Sequence, residues 1–355
     1  MQGKKMSINP EVPVTLDKPA VREALAVELA QKLGARAIHI HSAQRLSGGA
    51  IQENWSLQAE VEEGEFAGPQ RWVLRTDSPS SVSVSLGRRQ EHAVLSRVVE
   101  AGVRAPRPLL LVEHSPTLQR PYFLMQHLSG SAAGHRLTRD PACVPQPQLL
   151  LQDLAQSLAN LHRLTPQAAA LDFLVEPDKP AAVAAIEEYR EYLDTLAEPQ
   201  PVLEWGLRWC ELNLPEALPA RMIHRDFRTG NYLVEQGRLS GILDWEFASF
   251  GDPREDLGWF TARCWRFAAP EREAGGIGAL TDFLEAYRRA GGHPVEVQEL
   301  SYWQVMAHLR WAIIALQQAQ RHLSGQEVSL ELALTGRLLP ELEIEILHLT
   351  KEGSS

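Results

Sequence analysis

His224-Arg225-Asp226-Phe227-Arg228-Thr229-Gly230-Asn231 is the stretch on which the reading of this chain turns. It places a carboxylate and a carboxamide five residues apart on one loop. Two short strands are predicted just beyond it, over 232–235 and 239–243, around the turn residues Gln236-Gly237. The apolar run Gly241-Ile242-Leu243 leads into Asp244-Trp245-Glu246 and sets Asp244 at a strand end. Outside this window the second half of the chain has helical periodicity, over 149–164, 181–196 and 202–212 before it and 278–290, 297–323 and 328–349 after it. Loops and strands embedded among long helices mark a site carried on loops by a rigid scaffold.

The first half reads differently. A helix is predicted over 21–33, closed by Gly34. Strands follow over 37–46 and 51–61, joined by the turn Ser47-Gly48-Gly49, and a third contains Arg71-Trp72-Val73-Leu74-Arg75. Serine-rich 77–86 reads as a loop and 88–100 as a helix. Strands over 109–112 and 122–127 complete the set. At Leu128-Ser129-Gly130-Ser131-Ala132-Ala133-Gly134 small residues signal a hinge. The organisation is therefore a first lobe over 1–127, a hinge over 128–134, a helical lobe over 135–350 and a frayed tail over 351–355.

Composition bounds the function. The chain has 355 residues, 44% of them hydrophobic, and a net charge of -10 from 35 basic and 45 acidic residues. That balance speaks against nucleic acid or an anionic membrane as partner. No apolar run approaches a membrane span, and the basic first residues lack the apolar segment of a signal peptide. A cytoplasmic location is the expectation. The three cysteines, Cys143, Cys210 and Cys264, form no metal or disulfide spacing and read as buried thiols. No His-Glu-x-x-His and no Gly-x-Ser-x-Gly occurs, which argues against a zinc hydrolase and a serine hydrolase.

The pattern His-Arg-Asp, four residues, Asn is that of a kinase catalytic loop. With Asp244-Trp245-Glu246, Gly251-Asp252-Pro253 and Asp256-Leu257, the run 223–259 resembles the aminoglycoside phosphotransferase and choline-kinase-like enzymes, which phosphorylate small molecules. The resemblance implies an α+β, protein-kinase-like bilobal fold with a small antiparallel-sheet N-lobe and a larger, mainly helical C-lobe. It departs at Arg225, where that family usually has Gly.

The resemblance also implies roles. Asp226 would orient the acceptor hydroxyl and take its proton, and Arg228 would neutralise charge on the transferring phosphoryl group. Asn231 and Asp244 would hold Mg2+, which takes hard oxygen ligands alongside phosphate oxygens. His224 would anchor the loop. Arg75 would contact the phosphates of ATP or GTP, in the place of the usual Lys, with Glu91 as its ion-pair partner. The Ser47, Gly48 and Gly49 turn would cover the phosphates with backbone amides, with Asn54 close behind. Backbone groups at Gln126 and His127 would meet the base.

The acidic residues Glu246, Asp252, Glu255 and Asp256 would suit an amine-bearing acceptor, with Glu246 as a substrate contact. Asp252 and Asp256 have a second reading, as a helix cap and a brace for the catalytic loop. Two other readings stay open. Arg75 and Arg225 are compatible with a nucleotide-binding scaffold of weak or no activity. Ala269-Pro270-Glu271 is compatible with a protein kinase, although Trp245-Glu246 follows Asp244 in place of Phe-Gly.

Overall fold

Trp55, Leu57, Ala59 and Val61 are buried, the two-residue period of a strand with one face on a core. The computed structural model describes residues 15–46, 52–77 and 85–352. The Ser47-Gly48-Gly49 turn lies outside the described residues. The chain divides into two units, Met1–His92 with Arg107–His127, and Ala93–Pro106 with Leu128–Ser355.

The first begins with α1 (Pro19–Leu33), β1 (Ala37–Arg45), β2 (Gln52–Glu62) and β3 (Gly68–Asp77). Then come α2 (Arg88–Glu100), whose first turns belong to this unit, β4 (Pro108–Val112) and β5 (Tyr122–Gln126). The strands form one antiparallel sheet in the order β1-β2-β3-β5-β4. Its core joins Trp55, Leu57, Trp72, Leu74 and Leu124 to Leu25 and Leu29 of α1. Gly34 closes α1 in the left-handed region at φ 66°, its N–H donating to Ala30 O, the conformation for which glycine is the usual helix stop. Glu28 is a buried carboxylate. Ser115 Oγ, Thr117 N and Tyr122 Oη all donate to it, which fixes α1 against the β4–β5 connection.

The second unit continues with α3 (Gly134–Arg139), α4 (Pro147–His162), α5 (Pro166–Ala169), α6 (Ala181–Asp194) and α7 (Pro201–Leu212). Short strands β6 (Arg221–Ile223), β7 (Tyr232–Glu235), β8 (Arg238–Ile242) and β9 (Ser249–Gly251) interrupt the helices. The unit ends with α8 (Arg254–Thr261), α9 (Leu280–Arg289), α10 (Val297–Leu323), α11 (Leu330–Gly336) and α12 (Leu339–Glu352). β6 pairs with β9 and β7 with β8, both antiparallel. Helices α6, α7, α10 and α12 share a core built on Ile186, Tyr189, Leu203, Leu207, Leu309 and Ile346.

α8 lies close against α10 because Gly258 has no side chain there. A Cβ at that position would stand 2.6 Å from the backbone of Trp303. The molecule is α+β, with its strands concentrated in the first unit and its helices in the second. Among the described residues no helix is long and apolar enough to cross a membrane.

Two expectations need correction. The single helix predicted over 328–349 is two, α11 and α12. Pro340 stands second in α12, where its missing N–H is harmless only in a first turn, so the helix must restart there. The cysteines are not uniformly buried: Cys210 is, while Cys143 and Cys264 are half-buried. The small-residue segment 128–134 pairs Ser131 with Val234 of β7 through two backbone hydrogen bonds of 2.9 and 3.0 Å.

Candidate active site

Ile223 closes β6 and delivers the chain to His224, which is fully buried. Its Nε2–H donates to Leu243 O at 2.8 Å, and its Nδ1 accepts from Asp226 N at 3.1 Å. Both ring nitrogens are therefore used on backbone, and the ring lies 4.6 Å from that of Trp245. Arg225 follows in the left-handed region at φ 63°, a conformation that glycine adopts without strain and other residues seldom do. This explains physically why the resembled pattern carries Gly there. The strained backbone is held from both sides: the Arg225 N–H donates to Asp256 Oδ1 at 2.8 Å and its carbonyl accepts from Arg310 Nη1.

Asp226 is the focus of the loop. Its Oδ1 accepts from Trp259 Nε1 at 2.9 Å and from Arg228 Nε at 3.1 Å. Its Oδ2 accepts from Asn231 Nδ2, which also reaches the Asp226 carbonyl at 3.0 Å. Asn231 is 4% exposed, and with its amide nitrogen committed to Asp226 its carboxamide oxygen is the group that can serve as an acceptor or ligand. The guanidinium of Arg228 lies 4.4 Å over the Trp265 ring.

From Asn231 the chain runs out along β7, turns at Gln236-Gly237, both at positive φ, and returns along β8. Leu243 N then donates to the Asn231 carbonyl at 2.8 Å. The hairpin thus brings Asn231 and Asp244 to its open end, one just before β7 and the other just after β8. Asp244 has φ 57° and opens a short 3-10 turn over Trp245–Phe247. Asn231 is thus bonded directly to Asp226, and the Leu243 bond places Asp244 one residue from the strand position facing Asn231.

The brace behind the loop is α8. Asp256 is fully buried. Its Oδ2 accepts from His224 N at 2.7 Å and from His162 Nε2 at 3.1 Å, and its Oδ1 from Arg225 N. Burial pushes this carboxyl up, but the bonds from His162 and the loop outweigh it and hold the group below the usual carboxylate range. His162 Nδ1 in turn meets Tyr287 Oη at 2.6 Å. Asp252 accepts from Arg254 through backbone and side chain, at 2.9 and 2.6 Å. The Glu255 carboxyl is pushed up to about 7 by burial, against the pull of the Arg225 charge. Glu246 is buried, 8% exposed. The acidic cluster read as a surface for an amine-bearing acceptor is thus engaged internally at Asp252 and Asp256, and Glu246 does not lie open.

In the first unit Arg75 is 4% exposed on β3. It pairs with Glu91 at 2.9 Å and donates to Asn54 Oδ1 at 3.3 Å. Arg88, which sequence reasoning missed, also binds Glu91, and it donates to Asp77 at 2.9 Å. Its signal was its place three residues before Glu91 on one helix face. The N–H groups of Gln126 and His127 are both used within the sheet, donating to Arg107 O at 2.9 Å and Arg71 O at 3.2 Å. These amides are not open to a base.

The donor set fits magnesium in kind. Asn231 and Asp244 supply one neutral and one anionic hard oxygen, the sparse protein share that ion takes beside phosphates. Among the described residues no group of three or more His, Cys, Asp or Glu forms a self-sufficient metal cage.

The profile of the phosphotransferase enzyme family matches residues 42–293. A solved putative aminoglycoside phosphotransferase from Ralstonia eutropha JMP134 is similar, with a TM-score of 0.74, 18% identity and coverage of 94% of this chain and 99% of that one. A thermostable aminoglycoside phosphotransferase APH(4)-Ia mutant, solved as a ternary complex with ADP and hygromycin B, has a TM-score of 0.51 at 17% identity, with 94% and 99% covered. Acyl-CoA dehydrogenase family member 11 of Pongo abelii is 24% identical over 348 residues, 91% of this chain and 44% of that protein. The chain spans less than half the length of this relative.

Proposed function

Because this chain belongs to the phosphotransferase enzyme family, we propose that it moves the γ-phosphoryl group of ATP or GTP to a hydroxyl of a small molecule, with Asp226 as the residue that orients and deprotonates that hydroxyl. The observation that carries the reading is the hydrogen bonding of Asp226 to Asn231, combined with the hairpin bond that sets Asp244 beside Asn231. Base and metal ligands then belong to one loop system, as in-line transfer requires.

In this reading Asn231 and Asp244 hold Mg2+, which when bound neutralises the phosphate charge. Arg228 faces the transferring group from the side of Asp226, its guanidinium steadied on Trp265. In the first unit Arg75, kept in place by Glu91, is assigned to the phosphates, as is the Ser47-Gly48-Gly49 turn. Gln126 and His127 are assigned to the base through their carbonyls, since their amides are used in the sheet. The solved relative that holds ADP and hygromycin B together supports a ternary complex of nucleotide and acceptor. Location in the cytoplasm accords with the reading.

The test is a screen of hydroxyl-bearing metabolites and antibiotics with magnesium-ATP and magnesium-GTP, read as new phosphomonoester by phosphorus NMR. The reading predicts a product that Asp226→Asn fails to form. Tight nucleotide binding with no product on any acceptor would favour a scaffold instead.

A further inference from the structure

Asp226 has two carboxylate oxygens, and they are not equivalent. Each in-plane lone pair of a carboxylate oxygen takes one donor. Oδ1 already accepts from Trp259 Nε1 and Arg228 Nε, while among the described residues Oδ2 accepts from Asn231 Nδ2 alone. One position on Oδ2 is left for an incoming hydroxyl. What distinguishes the two oxygens is chiefly Trp259, a residue on α8, 33 positions from the loop.

Trp259 is itself held. The guanidinium of Arg310, on α10, lies 4.6 Å over its ring. The rings of Trp265 and Trp311 stand 5.2 and 6.4 Å away. A cation over an indole face draws on the π-cloud and makes the ring N–H a better donor. The same Arg310 donates to the Arg225 carbonyl, so one side chain fixes both the loop backbone and the indole that grips the loop carboxylate. The close approach of α8 and α10 at Gly258 permits this.

We propose that Trp259, steadied by Arg310, is a positioning residue that occupies Oδ1 of Asp226 and so reserves Oδ2 for the acceptor proton. The proposal rests on Asp226 acting as in the preceding reading. In the step it serves, the acceptor O–H breaks and its proton passes to Oδ2. The acceptor oxygen bonds to the γ-phosphorus, and the bond to the leaving oxygen breaks with its electrons kept by the nucleoside diphosphate.

Two measurements test it. In indole 15N–1H spectra, the resonance that Trp259→Phe removes should lie downfield, as for an N–H bound to a carboxylate, and should move upfield in Asp226→Ala. In turnover of magnesium-ATP with water as acceptor, read as ADP release, Trp259→Phe should lower kcat about tenfold or more, with KM for ATP within about twofold. An indole resonance indifferent to residue 226, or wild-type kcat in Trp259→Phe, overturns the proposal. If Phe at 259 unfolds the chain, Arg310→Met takes its place: the same indole resonance should shift and kcat fall, and no change in either overturns it.

Asp226→Asn separates this from the underlying reading. Full turnover in Asp226→Asn removes the base assignment itself. Loss in Asp226→Asn with full activity in Trp259→Phe removes only the role of Trp259. A wild-type chain with no turnover on water or any other acceptor removes both.

Discussion

Arg225 and Glu255 concentrate the cost of this site in single residues. A side chain in the left-handed region costs about 1–2 kcal/mol, and Arg225 bears that cost at φ 63°. Both Arg225→Gly and Arg225→Ala remove the guanidinium, so their difference isolates the backbone. Glycine is predicted to be the more stable of the two by about 1 kcal/mol in urea unfolding, and equal midpoints would contradict the strain. Glu255 gives a pH signature. Its carboxyl is raised by burial from 4.5 to about 7, so the unfolded chain releases the proton first. Its stabilising share is full below about pH 4.5 and is lost as pH rises through 7. Glu255→Gln should flatten the fall in stability across that window, and an unchanged profile would exclude the group as its source. The candidate residues Asp226, Asn231 and Asp244 could be read from sequence as one group because they lie within a score of positions of one another. Trp259 and Arg310 were not, because their roles depend on helices that meet only in the folded chain, and a Trp-rich apolar stretch reads as plain core.

At the scale of elements, α8 is the brace that holds the 224–231 loop. Asp256 near its start accepts three bonds while fully buried. Asp256→Asn keeps the shape but turns an amide towards the loop N–H groups. The predicted loss is about 2–4 kcal/mol in denaturant unfolding, with nucleotide affinity changed far less; the reverse order would make Asp256 a ligand residue. Long elements with clear periodicity, such as α2 and α10, emerged from sequence with their ends intact. The three-residue strands β6 and β9 did not, since so short a run shows no period. The break between α11 and α12 was written in Pro340, but the apolar spacing on both sides concealed it.

For the whole molecule, the family assignment rests on a match across 42–293, which extends well beyond the loop that first indicated it. The low identity to solved relatives carries the fold and leaves the acceptor to experiment. A ligand that binds only the folded chain raises its stability by about 2.7 kcal/mol at a hundred times its Kd. Magnesium-ATP should therefore raise Tm, and Asp244→Asn should lose most of that rise in magnesium; equal shifts in both proteins would remove Asp244 from the metal site.

The central claim is that Asp226 serves the chemistry while Asn231 and Asp244 serve the metal and nucleotide. The most direct measurement is calorimetric magnesium-ATP binding and single-turnover phosphoryl transfer on the same preparations of wild type and Asp226→Asn. The account predicts nucleotide affinity within about threefold and a transfer rate lower by about a hundredfold or more. Equal transfer rates in the two proteins would contradict it.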